Sequence, residues 1–281
     1  MMRMITRLTH CAALLPALVL ALVLTALPAR ADTRFGGVGD LVRIDVLDGG
    51  MTPRGTYQTA LRLTLKDGWK TYWRAPGDAG IPPSFSWRGS RNVGDVAITW
   101  PAPQVFDSGG LRTIGYQREL VLPVEITPSR AGQPVRLRGA MEVGVCADIC
   151  VPGTLKFDHD LDAAAGSNPA IVAALAQRPY SAQEAGVRAA TCRLSPTADG
   201  IRVEARIQMP SAGGRELAVI EPGDPTIWVS GIDVNRSGDT LTATGELIAE
   251  SGGSFALDRS QLRFTVLGSR HSVDILGCTP G

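Results

Sequence analysis

The chain has 281 residues with 28 basic and 27 acidic side chains, so its formal net charge at pH 7 is +1. This near balance gives no electrostatic argument for a nucleic-acid partner or a strongly anionic one. The length suggests two domains of ordinary size behind an N-terminal targeting segment.

Residues 1–31 have the three parts of a secretory signal peptide. Arg3 and Arg7 precede an apolar run over residues 12–27, and residues 29–31 read Ala-Arg-Ala, a small-x-small cleavage site. The alternative is a retained membrane anchor, for which the apolar run is short. Cleavage would remove three arginines and no acidic residue, which leaves 25 basic and 27 acidic side chains. We therefore expect a periplasmic protein without a membrane span in the mature chain, in a compartment where disulfides persist.

Residues 32–165 are predicted to form a β domain. Short runs alternate apolar and polar residues, and turn clusters rich in Gly, Pro, Asp and Ser separate them. Many short strands of this kind are typical of an antiparallel β-sandwich. The runs cover residues 41–46, 57–65, 96–100, 120–126 and 135–143.

Two other stretches of this domain are longer and contain more apolar and aromatic residues than a turn requires. Residues 68–80 contain Trp69, Tyr72 and Trp73, which we expect in the core or on a covered sheet face. Residues 103–116 look like a long, glycine-containing connection, and long ordered loops often serve as lids or binding loops.

Cys146 and Cys150 form the one close pair among the five cysteines, of which Cys11 lies in the predicted signal peptide. A disulfide needs Cβ atoms about 3.5–4.5 Å apart. Four residues of a strand span roughly 13 Å, and i, i+4 neighbours on a helix lie about 5–6 Å apart. The spacing therefore predicts a tight turn between strand ends. A bond that closes so small a loop stabilises the fold little, and we interpret the pair as redox-active.

Other roles for this pair remain open at this stage. If the protein is a scaffold, the pair would be a plain structural disulfide. It would also suit a Cu(I) ion, because soft thiolates select that ion, with His159 returning to the site from a following strand. A four-ligand zinc site has little support, because the sequence has no second close Cys/His pair.

Three stretches together resemble the N-terminal periplasmic domain of the thiol:disulfide interchange protein DsbD. They are residues 120–124 (Leu-Val-Leu-Pro-Val), the preceding loop with Phe106 and Tyr116, and residues 144–152 (Gly-Val-Cys-Ala-Asp-Ile-Cys-Val-Pro). Residues 68–80 are more similar to the corresponding region of its relative ScsB. The resemblance implies an immunoglobulin-like fold whose cysteines pass reducing equivalents without a cofactor. The donor would be a thioredoxin-like or membrane-embedded protein. The acceptors would be periplasmic disulfide isomerases, cytochrome c maturation proteins or peroxide-handling proteins.

The resemblance also implies roles for single residues. Cys150 corresponds to the cysteine that attacks the partner, and Cys146 to the resolving one. Phe106 has the position of an active-site cap that shields the cysteines until a partner docks. The chain departs from DsbD in its closer cysteine spacing and in carrying neither the membrane segment nor the thioredoxin-like domain, so separate proteins would supply the electrons.

The cysteine motif itself contains no Lys, Arg or His that would lower a thiol pKa. Asp148 lies between the two cysteines, and a nearby carboxylate disfavours a thiolate. We therefore expect a modest intrinsic nucleophile that the docked partner activates.

Residues 166–180 are predicted to form a linker with a short helix, which begins with Asn168 as cap and Pro169 at the first position. Residues 181–281 should form a second β-sandwich, as ScsB-like proteins carry, that positions the first domain or extends its docking surface. Its strands are predicted at residues 187–194, 200–207, 217–220, 226–229, 240–249 and 261–267.

Cys192 and Cys278 lie in this second domain, and we expect them to form a structural disulfide. The chain-entropy model assigns such a long loop on the order of 4 kcal/mol of stabilisation. A second redox pair or two free thiols are the alternatives. The predicted fold class is all-β, with two immunoglobulin-like antiparallel β-sandwich domains joined by a short helical linker.

Overall fold

The computed structural model describes residues 37–250, 252 and 255–281, so the predicted signal peptide and Cys11 lie outside the described residues. The described chain folds into four β-sheets, here named A to D, with one short α-helix between the first and second pair of sheets. No helix in this described part is long and apolar enough to span a membrane.

Sheets A and B use the first ten strands. Sheet A has the order β1-β2-β8-β5, and sheet B has the order β10-β9-β3-β7-β6 with β4 paired to β9. All pairings in these two sheets are antiparallel. The strands are β1 (Val42–Met51), β2 (Tyr57–Leu65), β3 (Lys70–Gly77), β4 (Ser84–Ser86), β5 (Val93–Ile98), β6 (Gln104–Ser108), β7 (Leu111–Gln117), β8 (Glu119–Pro128), β9 (Arg136–Cys146) and β10 (Cys150–Asp160).

Sheets C and D use the remaining strands. Sheet C has the order β11-β19-β18-β14, and sheet D has the order β15-β17-β13-β12-β20 with β16 paired to β17. Two short contacts, β11 with β19 and β12 with β20, are parallel. The strands are β11 (Tyr180–Ser181), β12 (Ala189–Pro196), β13 (Ile201–Gln208), β14 (Leu217–Glu221), β15 (Ile227–Val229), β16 (Asp233–Ser237), β17 (Thr240–Ala249), β18 (Arg263–Leu267), β19 (Ser272–Leu276) and β20 (Thr279–Pro280).

Each pair of sheets encloses an apolar core, as the alternating sequence pattern predicts. In β2, Leu61 and Leu63 are fully buried and face side chains from sheet B. In β17, Leu241, Ala243 and Leu247 are fully buried in the second core. The prediction of an all-β chain of antiparallel sandwiches is confirmed, because period-2 burial leaves one face of each strand for a facing sheet.

The linker helix, α1 (Pro169–Ala176), begins where the sequence predicts. The side chain of Asn168 accepts a hydrogen bond from the backbone N–H of Ala170 at 3.0 Å, which caps the first turn. Ile171 and Ala174 are the buried residues of the helix, which packs against β8. The helix is therefore attached to the first pair of sheets.

The prediction of a long loop over residues 103–116 is wrong, because this segment forms the hairpin β6–β7. Gly109 and Gly110 both have positive φ, at 60° and 83°, and form its two-residue turn. Gly-Gly between two alternating runs is a strong signal for such a turn, because both central residues need positive φ. The hairpin forms one edge of sheet B.

The two pairs of sheets meet along the outer face of sheet C. Leu217, Val219 and Leu267 project from that face and pack with the core of the first pair. Ala218 and Ile220, which alternate with them in β14, belong to the second core. Sheet C therefore has apolar contacts on both faces.

Candidate active site

Cys146 is the last residue of β9 and Cys150 the first residue of β10. They are direct cross-strand partners with Cα atoms 4.2 Å apart, and a disulfide joins them. In the turn between them, the N–H of Ala147 donates to the carbonyl of Ile149 at 3.0 Å. The predicted tight turn between strand ends is thus present. The two cysteines differ in their exposure to solvent, because Cys146 is only 1% exposed whereas Cys150 is exposed.

Tyr72 is the side chain that contacts both sulfurs. Its hydroxyl donates to Cys146 Sγ at 2.8 Å and lies 3.4 Å from Cys150 Sγ. Burial raises the pKa of Tyr72, so the hydroxyl stays protonated and available as a donor. The sequence predicts a covered position for Tyr72, but no local pattern connects this residue with the cysteines.

The register of β3 explains why Tyr72 reaches the cysteines. Lys70 pairs with Cys146, and Thr71 pairs with Val145. The Thr71 hydroxyl also donates to the carbonyl of Gly144 at 3.0 Å. Alternation then turns Trp73, which is fully buried, into the core and leaves Tyr72 on the opposite face of sheet B with the sulfurs.

The segment after β3 covers the sheet beside the cysteines. A Cβ on Gly144 would lie 2.7 Å from Cβ of Ile81, so Ile81 occupies the space that a side chain there would need. A Cβ on Gly80 would lie 2.8 Å from Cδ1 of Tyr72 and still closer to Pro76. The glycines therefore allow this segment to lie directly on Tyr72 and β9, and no local sequence signal indicates this cover.

Phe106 lies on the edge strand β6, opposite Thr113 of β7. Strands β7 and β3 separate it from β9, and three strand spacings correspond to roughly 14 Å between backbones. Its ring lies 5.0 Å from Nζ of Lys70, and the same Nζ donates to Oγ1 of Thr113 at 3.0 Å. The structure thus links Phe106 to Cys146 through Lys70, whose Cα is the direct partner of Cys146.

Comparisons with known proteins cover the part of the chain that contains the site. Residues 47–161 match the family model described as thiol:disulfide interchange protein DsbD, N-terminal. This part of the chain belongs to the DsbD N-terminal domain family. The matched residues include the disulfide, Tyr72, Lys70 and Phe106, so the site lies wholly inside the DsbD-type domain.

Solved structures extend the comparison beyond the DsbD-type domain. The N-terminal periplasmic domain of ScsB from Proteus mirabilis is 22% identical and has a TM-score of 0.66, with coverage of 86% of this chain and 95% of that one. At this identity the likeness shows the fold, over both pairs of sheets. The reduced N-terminal domain of DsbD from Neisseria meningitidis is 14% identical with a TM-score of 0.27, covering 47% of this chain and 90% of that one. No curated protein sequence matches this chain.

The predicted return of His159 to the cysteines of the DsbD-type domain is wrong. His159 lies on β10 itself, nine residues beyond Cys150, which corresponds to roughly 30 Å along an extended strand. Its Nε2 lies 2.6 Å from Oδ2 of Asp48 on β1. Within residues 37–250, 252 and 255–281, no group of three or more His, Cys, Asp or Glu side chains is arranged to hold a metal ion.

Two charged residues of the DsbD-type site lie near the cysteines in the sheet or in the turn. Asp148 lies in the turn between the cysteines and is exposed, so water screens its carboxylate. A cation is present that the motif does not contain, because β3 brings Lys70 beside Cys146. The position of Lys70 next to Cys146 follows from the register of β3 against β9, and no local sequence signal indicates it.

The other two described cysteines lie outside the DsbD-type domain. A disulfide joins Cys192 of β12 to Cys278, which lie 86 positions apart in the sequence and have Cα atoms 5.7 Å apart. Cys192 is 1% exposed and belongs to the second core, with Cys278 packed against it. This bond connects the end of the described chain to β12, which lies next to the edge strand β20 of sheet D.

Proposed function

We propose that this protein is a periplasmic thiol–disulfide interchange protein that uses Cys146 and Cys150 without a cofactor. Reducing equivalents would pass from a thioredoxin-like or membrane-embedded donor to periplasmic acceptor proteins. The observation that carries the proposal is the asymmetric disulfide at the tip of a hairpin. One sulfur belongs to an exposed residue, and the other to a buried residue that accepts a hydrogen bond from Tyr72.

This asymmetry suits exchange chemistry. A partner thiolate needs an accessible sulfur to attack and a leaving sulfur whose negative charge is stabilised. Cys150 supplies the accessible sulfur, so attack there forms the mixed disulfide and expels Cys146 as a thiolate. The Tyr72 hydroxyl, 2.8 Å from Cys146 Sγ, is placed to donate to that thiolate. A hydrogen bond to a charged group is the stronger kind, so it favours the step.

The compartment is part of the proposal. The ScsB structure that is similar to this chain is described as an N-terminal periplasmic domain. Two disulfides among the described residues suit an oxidising compartment. The signal peptide predicted over residues 1–31 would deliver the chain there.

For the second β-sandwich, residues 181–281, we propose a positioning role. Arg74 of β3 donates through Nε and Nη2 to the two carboxylate oxygens of Glu221 at 2.9 and 3.0 Å, and through Nη2 to Thr265 Oγ1 at 3.2 Å. Asp274 lies 3.7 Å from the same guanidinium, which stacks on Trp73 at 4.2 Å. Arg74 lies two residues after Tyr72 on β3, so this ion-pair cluster would hold in place the strand that carries the hydrogen-bond donor to Cys146.

Trapping of a mixed disulfide tests the proposed function. The Cys146→Ser variant retains Cys150 as its exchangeable thiol and should form a mixed disulfide with an oxidised thioredoxin-fold protein. The Cys150→Ser variant retains only the buried Cys146 and should trap the partner far less. The matched control is Cys192→Ser/Cys278→Ser, which keeps the pair intact and should exchange electrons with the same partner at the wild-type rate. Absence of a mixed disulfide with the Cys146→Ser variant, with no exchange by wild type, would overturn the proposal.

A further inference from the structure

Lys70 lies between Cys146 on β9 and Phe106 on β6, two strands that are three strand spacings apart in sheet B. Its Cα lies opposite Cys146, while its ammonium reaches the far side of β7. There Nζ lies 5.0 Å from the ring centroid of Phe106 and 3.0 Å from Oγ1 of Thr113. A side chain that begins beside a sulfur therefore carries its charge to the β6–β7 hairpin.

The contacts that hold the ammonium there are individually weak. A cation above an aromatic ring at a partly exposed site is held by a modest electrostatic attraction, and one hydroxyl hydrogen bond adds a similarly modest amount. Lys70 and Phe106 are both only partly buried. The lysine stem can also turn about several single bonds. A new negative charge nearby is therefore sufficient to redirect the ammonium.

The position of Lys70 places Cys146 within its reach. Directly opposed residues of an antiparallel pair have Cβ atoms about 4.5–5.5 Å apart and project from the same face. From that origin the four-carbon stem can bring Nζ into ionic contact with Sγ of Cys146. The other titratable or charged groups that flank Cys146 are Tyr72 on β3, Asp148 in the turn and Glu142 two positions before Gly144 on the same face of β9.

We propose that Lys70 is a positioning residue of the exchange reaction: Phe106 and Thr113 hold its ammonium until Cys146 becomes a thiolate, which the ammonium then stabilises. This inference rests on the proposed function. It also assigns Phe106 a role as the group that retains the cation.

The electron balance of the step is that of ordinary exchange. A thiolate of the donor dithiol attacks Sγ of Cys150, the Cys146–Cys150 bond breaks, and Cys146 leaves with the electron pair as a thiolate. The donor's second thiolate then attacks the donor sulfur of the mixed disulfide and releases Cys150 as a thiolate. The donor is oxidised to a disulfide, the pair is reduced by two electrons, and the thiolates take protons from water.

Two readouts on the full mature chain test the role of Lys70. The first is the pH midpoint of thiolate formation at Cys146, followed by the ultraviolet absorbance of the thiolate in the Cys150→Ser background. The second is the rate at which dithiothreitol reduces the disulfide in the wild-type cysteine background. Lys70→Gln should raise the midpoint and lower the thiolate fraction near neutral pH roughly three- to tenfold, as for a partly solvated charge pair. Reduction by dithiothreitol should slow by a similar factor.

Two further variants distinguish an effect of the Lys70 charge from an effect of the substitution on folding. Lys70→Arg keeps the cation and should stay within about twofold of wild type in both readouts, since the guanidinium charge reaches the same place. Phe106→Leu should lower the midpoint when Lys70 is present and leave it unchanged in the Lys70→Gln background, because the ring acts through the cation.

The result that would overturn the inference is a Lys70→Gln protein whose thiolate midpoint is unchanged, whether its reduction rate is the same or faster. Such a protein would still exchange electrons with a partner, so the proposed function would stand. A disulfide that no partner dithiol reduces, in wild type as in Lys70→Gln, would instead remove the proposed function.

Discussion

The Tyr72 hydroxyl donates a 2.8 Å hydrogen bond to the sulfur of Cys146, and 74 positions of sequence separate these two residues. The bond joins the strand that crosses the middle of sheet B to the buried half of the disulfide. It also gives the sulfur a donor that stays protonated, because burial raises the pKa of Tyr72. We therefore expect the reactivity of the pair to depend on β3 as well as on the turn.

Replacement of Tyr72 by Phe tests this dependence. The variant loses the donor to the leaving sulfur, so we expect reduction by a dithiol to slow roughly three- to tenfold, with about 1 kcal/mol lost from the free energy of unfolding. Tyr116→Phe is the matched control, because it removes a buried hydroxyl that donates to the carbonyl of Pro101 at 2.8 Å instead of to a sulfur. Stopped-flow reduction and urea unfolding measure both effects. Equal reduction rates for the two variants would contradict the role of Tyr72.

The cover formed by Ile81 predicts the effect of a single methyl group. In Gly144→Ala the new Cβ would lie 2.7 Å from Cβ of Ile81, so the segment must move off β9. We expect a loss of about 1–3 kcal/mol in the free energy of unfolding, as for overpacked sites, and faster reduction by small thiols. Gly166→Ala is the control, because no atom lies within 4 Å of its added Cβ. Ile81→Gly removes the Cβ that the new methyl group meets, so Gly144→Ala should cost less in the Ile81→Gly background than in wild type. An equal cost in the two backgrounds would contradict the steric account.

The ion pair between Arg74 and Glu221 predicts coupling between the two pairs of sheets. Its side chains are 16% and 21% exposed, so the remaining charge is poorly solvated when one partner is removed. We expect Glu221→Gln to lower the free energy of unfolding by about 1–3 kcal/mol, after allowance for partial solvent screening. Glu221→Gln should also slow reduction of the Cys146–Cys150 bond, since Tyr72 shares a strand with Arg74.

A double-mutant cycle with Arg74→Met measures this coupling directly. The exposed pair formed by Arg178 and Glu184 serves as the control, and its removal should not change the reduction rate. An Arg74–Glu221 cycle without coupling energy would refute the positioning role of the second sandwich.

The Arg178–Glu184 pair itself gives a pH prediction. Hydrogen bonds from Arg178, and then from the backbone and side chain of Ser181, lower the pKa of Glu184 from 4.5 to about 2. Because the folded-state pKa is depressed, the contribution of this carboxylate to stability is present above pH 4.5 and is lost as the pH falls towards 2. A carboxyl-detected NMR titration should find the Glu184 midpoint near pH 2 in wild type and a higher one in Arg178→Gln. A wild-type midpoint near 4.5 would contradict the structure of this pair.

Local signals in the sequence were sufficient for the core of the site. The four-residue spacing of Cys146 and Cys150 limits the backbone to a tight turn, and the turn is found. Alternation of apolar and polar residues likewise predicted β2 and β17, whose bounds match the runs at residues 57–65 and 240–249. These features depend only on neighbours along the chain.

The remaining parts of the site depend on contacts between distant segments. Tyr72 and Lys70 reach the cysteines through the register of β3 against β9, which no single-strand pattern contains. The β6–β7 hairpin has a local signal, Gly109-Gly110, although the length and glycine content of the segment are also typical of a loop. A position of His159 near the cysteines would need a chain reversal, whereas β10 continues without a turn from Cys150 to Asp160.

The reduction potential of the Cys146–Cys150 disulfide tests the central claim most directly. Equilibration of the mature protein in defined dithiol buffers, followed by thiol alkylation and peptide mass mapping, gives separate values for this bond and for Cys192–Cys278. If the protein is a thiol–disulfide interchange protein, we expect a Cys146–Cys150 potential in the exchangeable range of roughly −120 to −270 mV. The Cys192–Cys278 bond should still be oxidised under the same conditions. A Cys146–Cys150 potential below about −300 mV, like that of a structural disulfide, would contradict the account.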